Sequence, residues 1–208
     1  LNVDKYCSWI IRNLPKTSLE IPELTGHVVT RFAPNPDGAI HLGNSRPAIL
    51  SYAIAKKYKG QFILRFDDTD PKLKTSEKKF YKWIKQDLKW LGLKWNKEYT
   101  ASKRLKIYYK YAEKLINMNA AYVCTCNPEK WKKIKNKKQA CPCRDLPVKE
   151  QNKRWNLMLS SNKKRKKSYK QGQAVLRIKT YLKHPNPAIR DWPALRIIDN
   201  PSHPLVKG

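Results

Sequence analysis

The chain has 208 residues, 40% of them hydrophobic and 29% charged, which suits one large or two small domains with a packed core and excludes a disordered chain. The 45 lysines and arginines outnumber the 16 acidic residues, so the formal net charge is +29. This charge favours a polyanionic partner, and a lysine-rich composition spread along the chain is an alternative explanation for part of it.

The first 25 residues give no functional signal. Their weak apolar periodicity is broken by Pro15 and Pro22, and we interpret residues 1–25 as an approach segment. They lack the basic start and apolar core of a signal peptide, and no stretch of 18 apolar residues occurs in the chain. We therefore expect a cytoplasmic protein. Because the chain starts with Leu1, we also expect it to be a piece of something longer.

Residues 26–100 predict a β-α-β unit followed by a second helix. The β-branched run at 28–32 predicts a strand, apolar residues at helical spacing predict a helix over 42–58, and residues 61–67 predict a second strand. A right-handed crossover makes the two strands parallel and brings the loops after them to one edge of the sheet. A second helix is predicted over 76–91 and ends at Gly92. The predicted fold class is therefore α/β.

The loop between the first strand and the first helix has the features of a phosphate-binding loop. Pro34 and Pro36 cannot continue a central strand, while Gly38 and Gly43 let the backbone approach a ligand closely. Unpaired N–H groups and the helix dipole at such a helix start favour an anionic ligand. His41 adds an imidazole at the same place, although an isolated histidine after a loop is more often structural.

Three ordered motifs resemble the glutamyl/glutaminyl branch of the class I aminoacyl-tRNA synthetases. Residues 33–38 read Ala-Pro-Asn-Pro-Asp-Gly and residues 41–44 read His-Leu-Gly-Asn, which is similar to the His-Ile-Gly-His signature of that class. The second motif is Phe-Ile-Leu-Arg-Phe-Asp-Asp-Thr-Asp-Pro at 62–71, and the third is Asp-Leu-Lys-Trp-Leu-Gly at 87–92. Together with two Cys-x-Cys pairs further along, they look most like archaeal glutamyl-tRNA synthetases.

This resemblance implies a Rossmann-like catalytic half-domain at 26–100 and an inserted α+β domain at 101–208 that binds the acceptor end of tRNA. It implies ATP-dependent attachment of glutamate to tRNA(Glu) through a glutamyl-adenylate, with Mg²⁺ expected for the triphosphate chemistry. The ATP-binding residues implied by the motif are Pro34, Asn35, Gly38, His41, Gly43 and Asn44, of which His41 and Asn44 are the catalytic pair. Asn44 stands where the family more often has a second histidine, so it can donate a hydrogen bond but carries no charge.

The same resemblance assigns the amino-acid substrate to Arg31 and Asp67. A guanidinium holds a carboxylate through two parallel hydrogen bonds, and a carboxylate accepts from an ammonium group. For both residues, an internal Arg–Asp ion pair at the sheet edge is the alternative. We expect Asp68, Thr69 and Asp70 to hold the turn and cap the next helix. Asp70 also favours glutamate, because glutaminyl enzymes have asparagine at this position of the motif.

Residues 101–208 contain the cysteine pairs. A third helix is predicted over 104–119, residues 121–145 are expected to be loop-rich, and short strands are predicted at 174–178 and 194–198. Cys124, Cys126, Cys141 and Cys143 offer four thiolates, enough for a structural Zn²⁺ with no open coordination position. Reduced thiols without a metal are the alternative.

The second half also contains the candidate RNA-binding residues. Cationic side chains that could contact tRNA phosphates are Arg144, Arg154, Lys163, Lys164 and Arg165. The last three belong to the basic run at 163–167, for which a solvated face is the alternative. Three tryptophans lie among lysines and could stack on unpaired bases or pack in the core: Trp131, Trp155 and Trp192.

Two rival functions stay open from the sequence. One is a glutaminyl or a non-discriminating glutamyl enzyme, and the other is a fragment that only binds RNA or zinc without catalysis. The family's second ATP motif, which resembles Lys-Met-Ser-Lys, does not occur before Gly208. We therefore predict that this chain alone does not complete aminoacylation and that a second polypeptide or a continuation of the chain supplies the rest.

Overall fold

The computed structural model describes residues 23–69, 77–160, 168–199, 203 and 205. These residues form two compact units that divide after Arg104, and His203 and Leu205 belong to the first of them. Among the described helices, none has the length and apolarity needed to cross a lipid bilayer.

The first unit is built on a three-stranded parallel sheet in the order β1-β2-β3. Its strands are β1 (Val29–Phe32), β2 (Gln61–Phe66) and β3 (Lys97–Thr100), and its helices are α1 (Leu42–Lys57) between β1 and β2 and α2 (Lys78–Trp90) before β3. The predicted β-α-β unit is confirmed. Strand β3 was missed because its sequence, Lys-Glu-Tyr-Thr, is half charged and none of its four residues is buried.

The core of the first unit lies under one face of β2. Phe62, Leu64 and Phe66 alternate along this strand and are buried against Ile84 and Leu88 of α2. Burial of every second residue is the period expected when one face of a strand contacts the core.

The turn from α1 into β2 requires a glycine. Gly60 donates its backbone N–H to the carbonyl oxygen of Ala55 over 2.8 Å, and Gln61 donates to that of Val28 over 2.9 Å. A Cβ atom on residue 60 would overlap the Val28 carbonyl oxygen. The close approach fixes the register in which β1 and β2 begin to pair.

The second unit is α+β. Its elements in chain order are α3 (Leu105–Asn117), β4 (Ala121–Cys124), α4 (Pro128–Asn136), α5 (Val148–Leu159), β5 (Val175–Ile178) and β6 (Pro193–Arg196), with the three strands antiparallel in the order β4-β5-β6. Its main core includes Ile116, Val123, Trp155 and Leu176.

The prediction of a loop-rich segment at 121–145 was wrong. Strand β4 lies there with all four of its residues buried, so it shows no alternation along the sequence. Helix α4 follows it, with Asn127 as a side-chain cap that accepts from the Lys130 N–H over 2.7 Å. Only Trp131 of this short helix is buried, which is too little for a visible helical period.

Candidate functional site

The loop after β1 is held against the loop after β2 at the carboxyl edge of the parallel sheet. The backbone N–H of Asp67 donates to the carbonyl oxygen of Pro34 over 2.9 Å. Pro36 is buried, whereas Gly38 has open space around it, since a Cβ atom there would meet nothing within 4 Å. Two of the predicted binding loops are therefore neighbours, as the parallel arrangement of β1 and β2 requires.

His41 caps the start of α1. Its Nδ1 accepts the backbone N–H of Gly43 over 3.1 Å, and Asn44 Oδ1 accepts the backbone N–H of His41 over 3.4 Å, so the two side chains close a capping box. The imidazole is exposed and does not pack in the core. Because Nδ1 is an acceptor, Nε2 is the nitrogen that carries the proton in the neutral ring.

Gly43 makes this cap possible. A Cβ atom at residue 43 would lie 2.8 Å from Cε1 and 3.0 Å from Nδ1 of His41, so any other residue would displace the imidazole. From the sequence, Gly43 was expected to let a ligand approach the backbone closely. In the structure the same glycine also leaves room for the imidazole ring of His41.

Arg31 and Asp67 lie at the same edge of the sheet but do not pair with each other. Asp67 Oδ1 is 2.8 Å from Nε of Arg65, and the two side chains are 41% and 28% exposed. Arg31 is exposed and makes no ion pair with any described residue. The alternative of an internal Arg–Asp ion pair at the sheet edge therefore holds for Asp67, whose partner is Arg65, and not for Arg31.

Asp68 is the structural member of the aspartate pair. Its wholly buried carboxylate accepts from Tyr81 Oη over 2.6 Å, and from the backbone N–H and the Oγ of Ser102, each over 2.8 Å. His203 Nε2 lies 3.3 Å from the same carboxylate and 2.9 Å from the Asp68 carbonyl oxygen. Asp68 thus links the loop after β2 to the segment after β3, so it holds the loop as predicted, but it does not cap α2, whose N-cap residue is Glu77. Asp70 lies outside the described residues.

The four paired cysteines come together in the second unit. Their sulfur atoms all lie within 4.8 Å of one another, three of the residues being buried and Cys126 partly buried. Cys141 Sγ is 3.5 Å from Cys124 Sγ and 3.4 Å from Cys126 Sγ. A tetrahedral site with Zn–S bonds of about 2.3 Å places its sulfurs about 3.8 Å apart, so the donor set fits a zinc ion.

The thiols influence one another's ionisation. Hydrogen bonds from Cys124 and Cys141 lower the pKa of Cys143, whereas contacts with Cys124 and Cys143, together with burial, raise the pKa of Cys141. The neighbouring thiols thus favour the thiolate form of Cys143, and the contact with Cys143 opposes ionisation of Cys141. A divalent cation would remove this repulsion, which is the chemistry of a metal-binding thiolate cluster.

Gln151 of α5 fixes the position of both cysteine pairs. It is buried, its Oε1 accepts from the Val123 N–H over 2.8 Å, and its Nε2 donates to the Cys143 carbonyl oxygen over 2.6 Å. The role of Gln151 was not predicted, because a glutamine in a basic helix gives no sign that it is buried.

Two of the predicted tRNA-binding residues are engaged with the protein. Arg144 Nε is 3.0 Å from Oδ2 of the wholly buried Asp191, and its Nη2 donates to the Thr180 carbonyl oxygen over 3.1 Å. Arg154 Nε is 3.1 Å from Glu150 Oε1. These contacts leave each guanidinium with fewer free donors for phosphate. Lys163, Lys164 and Arg165 lie outside the described residues.

Asp191 also accepts a hydrogen bond from Tyr122 Oη over 2.9 Å. Burial and the negative charge of Asp191 raise the pKa of Tyr122, so its hydroxyl stays a donor. Neither Tyr122 nor Asp191 was predicted to be important, since their partners are distant along the chain.

The tryptophans divide between core and surface. Trp155 is 3% and Trp131 8% exposed, and both pack in buried clusters, as the alternative to base stacking predicted. Trp192 is 41% exposed and is the member of the three whose ring is accessible.

Comparison with known proteins gives a consistent family. The profile of the family described as "tRNA synthetases class I (E and Q), catalytic domain" matches residues 27–206. The chain is 64% identical over 179 residues to a glutamate--tRNA ligase of Thermococcus onnurineus, covering 86% of this chain and 30% of that protein. It is 51% identical over 193 residues to the corresponding Pyrobaculum aerophilum protein, covering 90% and 33%. The chain thus spans about a third of the length of these curated relatives.

Solved structures show the same fold. A glutamate tRNA ligase from Elizabethkingia meningosepticum in complex with its amino acid has a TM-score of 0.58 at 22% identity, covering 86% of this chain and 40% of that one. Glutamate-tRNA synthetase from Elizabethkingia anophelis has a TM-score of 0.53 at 26% identity, covering 74% and 33%. The predicted Rossmann-like α/β architecture is confirmed. Since the family profile extends over nearly all of the chain after residue 26, the chain belongs to the class I tRNA synthetases of the glutamate and glutamine branch, within their catalytic domain.

Proposed function

We propose that the protein to which this chain belongs attaches glutamate to tRNA(Glu), using ATP and passing through a glutamyl-adenylate. The observation that carries the proposal is the capped start of α1 at the carboxyl edge of a parallel sheet, beside the loop that contains Asp67. The names of the archaeal relatives, glutamate--tRNA ligase, support the choice of amino acid. A cytoplasmic location is part of the same proposal.

The start of α1 is suited to the triphosphate of ATP. The positive end of the helix dipole and the exposed imidazole both favour an anion at this point. With Nδ1 occupied by the Gly43 N–H, Nε2–H of His41 is the group free to donate to a phosphate oxygen. Pro34, Asn35 and Gly38 would line the approach, and Asn44 would act mainly by keeping the cap closed. Mg²⁺ would accompany the triphosphate.

The amino-acid substrate would lie between Arg31 and Asp67. The exposed guanidinium of Arg31 is available for a carboxylate of glutamate, and Asp67 is available for its ammonium group. Arg65 would keep Asp67 in place, so that the substrate's ammonium would share a carboxylate that is already oriented.

The second unit would bind the acceptor end of the tRNA, and its cysteine cluster would hold a structural Zn²⁺. Four protein thiolates leave no open coordination position, so the metal would stabilise β4 and the loop before α5 and would not act on the substrate. Arg144 and Arg154 would contribute mostly through their internal contacts. The basic segment 163–167 and the exposed Trp192 are the better candidates for contact with RNA.

ATP titration of the purified chain by calorimetry tests the nucleotide site. His41→Asn keeps a good helix cap but removes the imidazole, and it should weaken binding about tenfold or more, the effect of one lost hydrogen bond to a charged group. Gly43→Ala should weaken binding because it displaces the imidazole. The matched control is His27→Ala, which removes another exposed histidine of the first unit and should change nothing.

The outcome separates the proposal from its rivals. ATP affinity that is equal in the unchanged chain and in both variants would overturn the assignment and favour a fragment that binds only RNA or zinc. Comparison of glutamate with glutamine as substrates of the complete protein would distinguish a glutamyl from a glutaminyl enzyme. For the chain alone we expect ATP binding without pyrophosphate exchange.

A further inference from the structure

A buried arginine contacts the cysteine cluster of the second unit. Arg177 lies in β5, opposite Tyr122 of β4, and is only 6% exposed. Its guanidinium stacks on the ring of Trp131, 3.7 Å from the centroid, and Trp131 packs in one buried group with the cysteines. Its Nη1 donates to the Asp191 carbonyl oxygen over 3.2 Å. Among the described residues, nothing accepts a hydrogen bond from its buried Nε.

The guanidinium of Arg177 belongs to the same face of the sheet as the Cys124 side chain. Arg177 is paired with Tyr122 in the register of β4 and β5, and Cys124 lies two residues beyond Tyr122 on the same strand. A buried cation that is incompletely paired with carboxylates or carbonyl groups is costly, and a thiolate on this face can supply the missing negative charge.

A second guanidinium lies beside Cys143. Arg154 Nη1 donates to Thr125 Oγ1 over 3.4 Å, and that hydroxyl lies 3.6 Å from the sulfur of Cys143. Arg154 Nε also pairs with Glu150 Oε1 over 3.1 Å. Glu150 is partly exposed and shares its charge with water.

The two cations match the charge that a metal would leave on the cluster. Four thiolates around a divalent ion carry a net charge of −2, and buried charge has to be compensated nearby. Asp191 already pairs with Arg144, so it does not require Arg177 as its counter-ion. The guanidiniums of Arg177 and Arg154 therefore supply two positive charges where the metal-bound cluster needs them.

We propose that Arg177 and Arg154 are positioning residues for a thiolate-bound divalent metal, with Arg177 the stronger of the two because it is more deeply buried. The inference rests on the proposed metal site. Because thiol ligands lose their protons when a metal binds, the cluster carries more negative charge in the metal-bound form, so the arginines stabilise that form more than the metal-free form. A purely structural arginine would support both forms equally.

Metal titration of the reduced, metal-free chain tests this difference. Co²⁺ is the probe, followed by its thiolate-to-metal charge-transfer absorption, and Zn²⁺ is measured by competition with a chromophoric chelator. We expect one equivalent to bind to the unchanged chain. Arg177→Met should weaken binding about 10- to 100-fold, the usual effect of losing an outer partner of a metal ligand. Urea unfolding of the metal-free variant should show stability equal to or above that of the unchanged chain, because an underpaired buried charge is gone.

Conservative and matched variants complete the experiment. Arg177→Lys keeps the charge and should restore most of the affinity. Arg196→Met is the control, since Arg196 is an exposed arginine in β6, opposite Val175 of β5, and should bind metal normally. If the Arg177→Met chain does not fold, Arg154→Met is measured instead, and its affinity for the metal should be about tenfold lower than that of the unchanged chain.

Two failures are distinguishable. Absence of Co²⁺ binding by the unchanged chain would refute the metal site itself. The other failure is that the unchanged chain binds Co²⁺ and the Met variants of residues 177, 154 and 196 all bind it with the same affinity. That result would support the metal site and refute the role of the arginines.

Discussion

Substitution of Asp191 should destabilise the second unit more than any exposed acidic change. Both of its carboxylate oxygens are occupied: Oδ2 accepts from Tyr122 over 2.9 Å and from Arg144 over 3.0 Å, and Oδ1 accepts from the Thr180 N–H over 2.9 Å. Asp191→Asn keeps the volume and suits the positive φ of 39° at this residue. It must, however, turn an amide NH₂ group toward one of these donors.

The expected cost follows from this geometry. Loss of the buried charge opposite Arg144, together with one donor left without an acceptor, should lower the free energy of unfolding by about 2–4 kcal/mol. Asp145→Asn is the matched control because Asp145 also faces Arg144, at 3.9 Å, but is 71% exposed. An exposed ion pair contributes less than about 1 kcal/mol.

Urea unfolding followed by circular dichroism measures both variants. Hydrogen exchange detected by mass spectrometry assigns the change to the second unit, where the peptide containing Thr180 should lose protection only in Asp191→Asn. Equal destabilisation by the two substitutions would refute the reasoning. It would mean that burial of Asp191 adds nothing to its pairing with Arg144.

Three further outcomes are expected. Gly60→Ala should lower the free energy of unfolding by about 1–3 kcal/mol or more, because its Cβ would overlap the Val28 carbonyl oxygen. Gly38→Ala, whose Cβ lies in open space, should lower it by less than about 0.5 kcal/mol, and thermal unfolding measures both. In urea, Asp68→Ala should lower the free energy of unfolding by about 3 kcal/mol, because it leaves buried hydrogen-bond donors without an acceptor. Asp67→Asn should lower it by less than about 1 kcal/mol, because the ion pair with Arg65 is partly exposed. If zinc is bound, a strong chelator should lower the melting temperature of the chain, and should have no such effect on Cys124→Ser.

The first unit could be predicted because its signals are local. A strand, a loop with two prolines and a capped helix follow one another between Val29 and Lys57, and their order alone fixes where the loops meet. The role of His41 was harder to predict. A motif shows that an imidazole stands at the helix start, but only geometry shows that Nδ1 accepts from Gly43 and leaves Nε2 for a ligand.

The second unit was predicted less well because its stability depends on contacts between distant parts of the chain. Tyr122 and Asp191 pair across 69 positions, and Gln151 reaches a carbonyl oxygen of the cysteine loop from a helix. Composition predicts such polar residues on the surface. The cysteine pairs were the exception, since the spacing of metal-ligating side chains is visible in the sequence itself.

The neighbouring aspartates show how this site combines rigidity with access. The carboxylate of Asp68 is buried and accepts hydrogen bonds from Tyr81 and Ser102, which holds the backbone after β2 in place. The next carboxylate toward β2, that of Asp67, is partly exposed, and Arg65 orients it. A binding group with a fixed backbone and an oriented side chain loses less entropy when a ligand binds. The two adjacent carboxylates after β2 therefore divide two tasks: Asp68 holds the loop, and Asp67 stays partly accessible to solvent.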